Sequence, residues 1–140
     1  MKILVPVDGS EAALDAVRHA VHLHRNGLQA SFVLVTVQEP TYVYEMLLAP
    51  DAQALERVTG AVGALALEGA LAMFLAAAIS VEREIGSGDP AQTLIEMVGR
   101  HGCDAIIIGA RGRGALLGSV SQAVLHAAVV PVTIVKHVAT

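Results

Sequence analysis

Ile106-Ile-Ile-Gly-Ala-Arg-Gly-Arg-Gly-Ala-Leu-Leu-Gly-Ser-Val-Ser121 joins an apolar run to a glycine-rich turn and then to a second apolar segment, Val120 to Val130. It reads as a buried strand, a turn and the start of a helix, which is the repeating unit of an α/β sheet. Gly109, Gly112, Gly114 and Gly118 leave backbone N–H groups bare, and the helix N-terminus that follows adds partial positive charge. Arg111, Arg113, Ser119 and Ser121 add guanidinium and hydroxyl donors. Two readings of the stretch stand: a phosphate cradle, or a strand-to-helix connection in which glycine serves backbone geometry alone.

Working outward, the same unit recurs. Ile3 to Val7 is apolar at nearly every position, as in a parallel strand covered on both faces. Asp8-Gly9-Ser10 breaks it. Ser10 is a good N-cap, with Glu11 in the first turn, for a helix whose apolar positions run from Ala13 to Val21 and which Asn26-Gly27 stops. Ala30 to Val37 is a second strand, ended by Gln38-Glu39-Pro40. Thr41 to Pro50 is a connection, either a lid or a loop packed over the sheet edge. Asp51 to about Ala78 is alanine- and leucine-rich and helical, with a break expected near Gly60. Ile79 to Ile85 alternates, which predicts an edge strand with one wet face. Asp89 as N-cap and Pro90 as first residue open a helix to His101 that Gly102 ends. Asp104 to Ile108 is the fourth strand, Val120 to Ala128 a short helix and Pro131 to Val135 the fifth strand. The order β-α-β-α-β-α-β-α-β implies an open parallel sheet with right-handed crossovers, whose ligand crevice lies at the carboxyl ends of the strands.

Composition narrows the function. The 140 residues suggest one domain, spanning 1–140. They are 54% hydrophobic and 16% charged, with net charge −4, so a large buried sheet or a subunit interface is needed. Without a basic block, and with 3% aromatics, nucleic acid is not an expected partner. The single Cys103 precedes an apolar run and reads as a buried, inert thiol in a reducing compartment. The N-terminus carries no apolar signal region. Ala61 to Ile79 holds one charge, Glu68, but eight alanines and two glycines, which suits a buried or interface helix better than a membrane span.

Several chemistries fail on spacing. The only lysines, Lys2 and Lys136, lie far from a glycine-rich turn, so a P-loop NTPase is excluded. Gly112 to Gly118 is one residue too long for the dinucleotide fingerprint and follows the fourth strand rather than the first. His19, His22 and His24 lack an acid or thiol to complete a metal set, and no nucleophile–base pair can be argued from spacing. Asp8 closes the first strand, either as a turn-forming residue or as an acceptor for a ribose hydroxyl, a base amine or a divalent ion.

The stretches Lys2-Ile-Leu-Val-Pro-Val-Asp-Gly-Ser10, Gly88-Asp89-Pro90, Asp104-Ala-Ile-Ile-Ile-Gly-Ala-Arg-Gly112, Leu117-Gly-Ser-Val-Ser121 and Pro131-Val-Thr-Ile-Val135 together resemble the universal stress protein family over nearly the whole chain. The resemblance implies a five-stranded parallel sheet in the order 3-2-1-4-5 with helices on both faces, an adenine nucleotide alpha hydrolase-like architecture. It implies a homodimer through the last strand, Pro131–Val135, and a cytoplasmic stress-response role without membrane or nucleic-acid partners. It also implies binding of ATP, with or without Mg²⁺, by a regulatory protein in which hydrolysis is at most slow. Gly109, Gly112, Gly118 and Ser119 match the family's phosphate-binding glycines and hydroxyl, with Val120 and Ser121 beside them. Pro6, Val7 and Asp8 match the adenosine end, Val37 the base pocket and Ile108 its floor. Arg111 and Arg113 would add charge. One departure stands out: five residues, not nine, separate Gly112 from Gly118. The four missing residues equal about one helical turn, so the outer arch of the phosphate loop is lost. A tighter cradle or a nucleotide-free interaction module of the same fold are the two outcomes.

Overall fold

The computed structural model describes residues 1–39, 52–110 and 117–137, with little described of the side chains between 52 and 59. The expected Thr41–Pro50 connection lies outside the described residues. The elements are β1 (Lys2–Pro6), α1 (Leu14–Arg25), β2 (Ser31–Gln38), α2 (Ala52–Ala76), β3 (Val81–Ser87), α3 (Pro90–His101), β4 (Ala105–Gly109), α4 (Ser119–Ala127) and β5 (Val132–Val135). All five strands join one parallel sheet in the order β3-β2-β1-β4-β5.

Alternation along the strands divides the core in two, because successive side chains leave opposite faces of a sheet. Ile3, Val5, Phe32, Leu34 and Ile107 face α1 and α2, where they meet Ala16, Val17, Leu67 and Phe74. Leu4, Val33, Val35, Ile106 and Ile108 face α3 and α4, where they meet Leu94, Met97, Val98 and Val124. Both faces are covered, which is why these strands read as unbroken apolar runs.

β3 is an edge strand, as its alternation predicts. Its charged face is tied to α3: Arg100 Nη2 donates to Glu84 Oε2 at 2.7 Å, and His101 Nε2 lies 2.6 Å from Glu84 Oε1. Lys2 Nζ donates to Glu82 at 3.3 Å.

Most element ends lie within one or two residues of expectation, and three differences have a clear physical cause. Helix α1 begins at Leu14, because Ser10 caps a preliminary turn rather than the helix itself: Ala13 N–H donates to Ser10 Oγ at 3.2 Å. β3 runs from Val81 to Ser87 rather than from Ile79, since Ile79 N–H is still occupied by Phe74 O at 2.9 Å in closing α2. α2 passes through Gly60 without a break. Gly63 has a packing cause: a Cβ there would collide with Ile85 Cγ2, so the missing side chain lets the helix settle onto β3.

Candidate functional site

The carboxyl ends of β1, β2 and β4 open on one crevice of about 140 Å³. Pro6, Val7 and Asp8 arrive from β1, Val37 and Glu39 from the end of β2, and Ile108 and Gly109 from β4. Pro90 and Leu94 of α3 close one side, and Val120 and Ser121 of α4 another. Ser10, Ala12 and Ala13, in the turn before α1, complete the lining.

The β1–α1 turn is built around Asp8. Its Oδ1 accepts from Ser10 N–H at 3.0 Å and from the Ser10 hydroxyl at 2.5 Å. Ser10 Oγ in turn accepts from Ala13 N–H. Leu14, Asp15 and Ala16 N–H groups then donate to Glu11, Ala12 and Ala13 carbonyls at 3.1–3.2 Å. Asp8 therefore acts as a turn-forming carboxylate, the first of its two sequence readings, and it also lines the crevice.

Gly109 sits against that turn. A Cβ there would lie 3.0 Å from Ala12 O, so the close approach of the β1–α1 turn by itself favours glycine. The chain stays paired past the strand end, with Ala110 N–H donating to Val135 O at 2.7 Å. Ser121, 2% exposed, donates its hydroxyl to Gly109 O at 2.8 Å. That proton is spent holding α4 to β4, which corrects the expectation of a second free hydroxyl donor for phosphate.

Of the residues singled out from sequence, Pro6, Val7, Asp8, Val37, Ile108, Gly109, Val120 and Ser121 come together in this crevice. Gly118 and Ser119 sit at the N-terminus of α4, Gly118 as its N-cap, and do not line the crevice. Arg111, Gly112 and Arg113 lie outside the described residues. Sequence reasoning missed Ser10, Ala12, Ala13, Glu39, Pro90 and Leu94 as lining. The signal for the last two was present: Pro90 and Leu94 are four apart on one face of a helix. The described lining carries two carboxylates, Asp8 and Glu39, and no lysine or arginine.

Other candidates fall away. Cys103 is buried, and burial pushes its thiol above the ordinary range, with Lys2 opposing and Asp104 and Glu82 adding to the rise. It sits at the amino end of β4, away from the crevice. The His19 and His22 rings stack at 6.3 Å, and His137 Nδ1 lies 2.7 Å from Asp15 Oδ2. Among the described residues no group of three or more His, Cys, Asp or Glu could hold a metal ion, and no helix is long and apolar enough to cross a membrane.

Fold and crevice define an open parallel α/β protein with its ligand cleft at the strands' carboxyl ends. The chain belongs to the universal stress protein family, whose model matches residues 1–136. It is 26% identical over 139 residues to a universal stress protein of Methanocaldococcus jannaschii, covering 96% of this chain and 81% of that one. Among solved structures it is similar to a universal stress protein family member from Arabidopsis thaliana with AMP bound, at TM-score 0.74 and 22% identity, covering 99% of this chain and 93% of that one. It is also similar to a universal stress protein in complex with cAMP, at TM-score 0.66 and 23% identity, covering 97% and 96%. At these identities the two structures establish the fold.

Proposed function

We propose that the crevice binds an adenine nucleotide, ATP or a relative of it, and that the chain is a regulatory protein rather than an enzyme. The observation that carries the reading is the convergence of the β1, β2 and β4 ends with the first turn of α4 on one cleft. Val37, Pro90, Leu94 and Ile108 offer apolar walls to a planar base. Asp8 and Glu39 are acceptors for ribose hydroxyls or a base amine. The N–H groups that open α4 at Ser119, Val120 and Ser121 supply the anion end. The enclosed space is smaller than the roughly 300–1,000 Å³ of sites that engulf a whole drug-sized ligand. It suits the base and sugar, with the phosphates toward Gly118 at the N-terminus of α4; Arg111, Gly112 and Arg113 keep the phosphate-binding role that the family resemblance implies. Mg²⁺, when bound, supplies positive charge that offsets phosphate beside the two carboxylates. That two similar proteins hold AMP and cAMP supports the adenine half of the reading.

The rest of the reading follows the family: a single domain, in the cytoplasm, acting in stress response as a homodimer through Pro131–Val135. β5 is an edge strand, and Val129 beside it is 91% exposed, which supports that dimer. A second reading, a nucleotide-free interaction module, is favoured by one observation: Ser121 already gives its proton to Gly109 O.

Thermal unfolding with ATP, ADP, AMP and cAMP, each with and without Mg²⁺, separates the two. A ligand at one hundred times its Kd raises apparent stability by about 2.7 kcal/mol. The proposal expects such a shift with at least one of these and its loss in Gly112→Val. Absence of any shift at millimolar nucleotide selects the second reading.

A further inference from the structure

We propose that the outer face of α2 is a self-association surface, docking on the same face of a second copy of this chain at the β3 side of the sheet. Surface helices of a soluble domain carry charged and polar side chains outward. α1 does so with Arg18, His22 and Arg25, and α3 with Gln92, Glu96 and Arg100. α2 does not. At 100° per residue its exposed positions from 61 to 76 fall within an arc of roughly 140°. That arc holds Ala61, Leu65, Ala72, Leu75 and Ala76 with a single charge, Glu68. Leu65 is 69% exposed and Leu75 73%, among the largest apolar exposures in the described residues. The opposite side of the same helix buries Leu67, Ala70 and Phe74, so α2 is apolar all round, the mark of a helix covered on both sides.

The occupant follows from charge and shape. An apolar groove of about 330 Å³ runs beside the face, lined by Leu71, Phe74, Leu75, Ile79, Val81 and Arg83. Arg83 lines this groove and the oppositely charged Glu68 lies on the exposed arc of α2; among the described residues neither has an ion-pair partner. A two-fold crossing of α2 on α2 brings each Glu68 toward the partner's Arg83, so the surface is complementary to itself, as an isologous interface requires. The alanines at 61, 72 and 76 let the two helix axes approach. A membrane surface fits less well, because the face lacks the lysine and arginine border of an interfacial helix. β3 and β5 are opposite edges of the sheet, so this contact is separate from a dimer through β5 and does not depend on nucleotide.

Sedimentation velocity of the full chain, at one loading concentration, tests it. Leu65→Glu/Leu75→Glu, at exposed positions that leave the core intact, is expected to halve the mass of the assembly while the circular-dichroism melt stays cooperative. Glu68→Arg and Arg83→Glu singly are expected to do the same, and the charge-swapped double variant to restore the wild-type mass. A wild-type mass unchanged by Leu65→Glu/Leu75→Glu overturns the proposal, whatever other partner the face has. So does a double swap that stays dissociated like the single variants.

Discussion

Helices α2 and α3 close with the same bond and different residues. Ile79 N–H donates to Phe74 O at 2.9 Å, and Cys103 N–H donates to Val98 O at 2.9 Å. Each bond spans five residues and needs one residue in the left-handed region just before the donor. In α3 that residue is Gly102, at φ +66°. In α2 it is Ala78, at φ +57°, the one non-glycine residue with positive φ among those described. The termination therefore belongs to the packing of Phe74 and Ile79 into the core, which are 0% and 7% exposed, and the cap residue only adjusts its cost. α3 is specified locally, by Asp89, Pro90 and Gly102. α2 is specified by what it lies on.

That contrast can be broken at graded points. The largest effect is expected at Phe74, whose ring lies tilted against that of Phe32 with centroids 5.6 Å apart: Phe74→Ala should cost about 3–5 kcal/mol by urea unfolding. Next comes Gly63. Gly63→Val puts a branched side chain where Ile85 sits and should cost about 1–3 kcal/mol, part of it recovered by Ile85→Ala in the same chain. A full cost with no recovery would mean that the glycine serves something other than the contact with β3. In α3, Asp89→Ala frees Gln92 N–H from its 3.0 Å bond and should cost about 1 kcal/mol. The cap exchange comes next. Ala78→Gly relieves about 1–2 kcal/mol of left-handed strain, offset by about 0.4–1 kcal/mol of unfolded-state entropy. It should therefore raise the urea midpoint slightly, and Gly102→Ala should lower it. If both lower it, the two ends are not equivalent.

The smallest effect concerns the residue that follows α3. Burial raises the Cys103 thiol, so the folded state keeps its proton after the unfolded chain, titrating near 9.0, has lost it. The unfolded state then binds fewer protons, and stability falls as pH rises above that value. Unfolding midpoints from pH 7 to 10 should show a decline that Cys103→Ala removes.

The sheet order and the edge position of β3 followed from family-like motifs and from alternation, because both are written in neighbouring residues. Asp89, Pro90 and Gly102 were legible for the same reason. The continuity of α2 was not, since Gly60 and Gly63 look alike in sequence. One has nothing within 4 Å of its would-be Cβ, and the other has Ile85, twenty-two positions away. The crevice was half legible. The ends of β1 and β4 announced themselves by a turn residue or a glycine after an apolar run. The contribution of Pro90 and Leu94 depends on how α3 lies over the sheet. The use of the Ser121 proton depends on a contact twelve residues away, which spacing along α4 does not disclose.

Asp8 bears on the rate at which any guest settles. Its carboxylate already clamps the peptide and hydroxyl of the residue two places on, so this wall of the cleft stands finished before a visitor arrives. Little freedom is left there to surrender on association, which removes one of the ordinary penalties of docking. Asp8→Ala would slacken that wall and remove an acceptor that the proposed ligand uses, so capture should slow and release should quicken together.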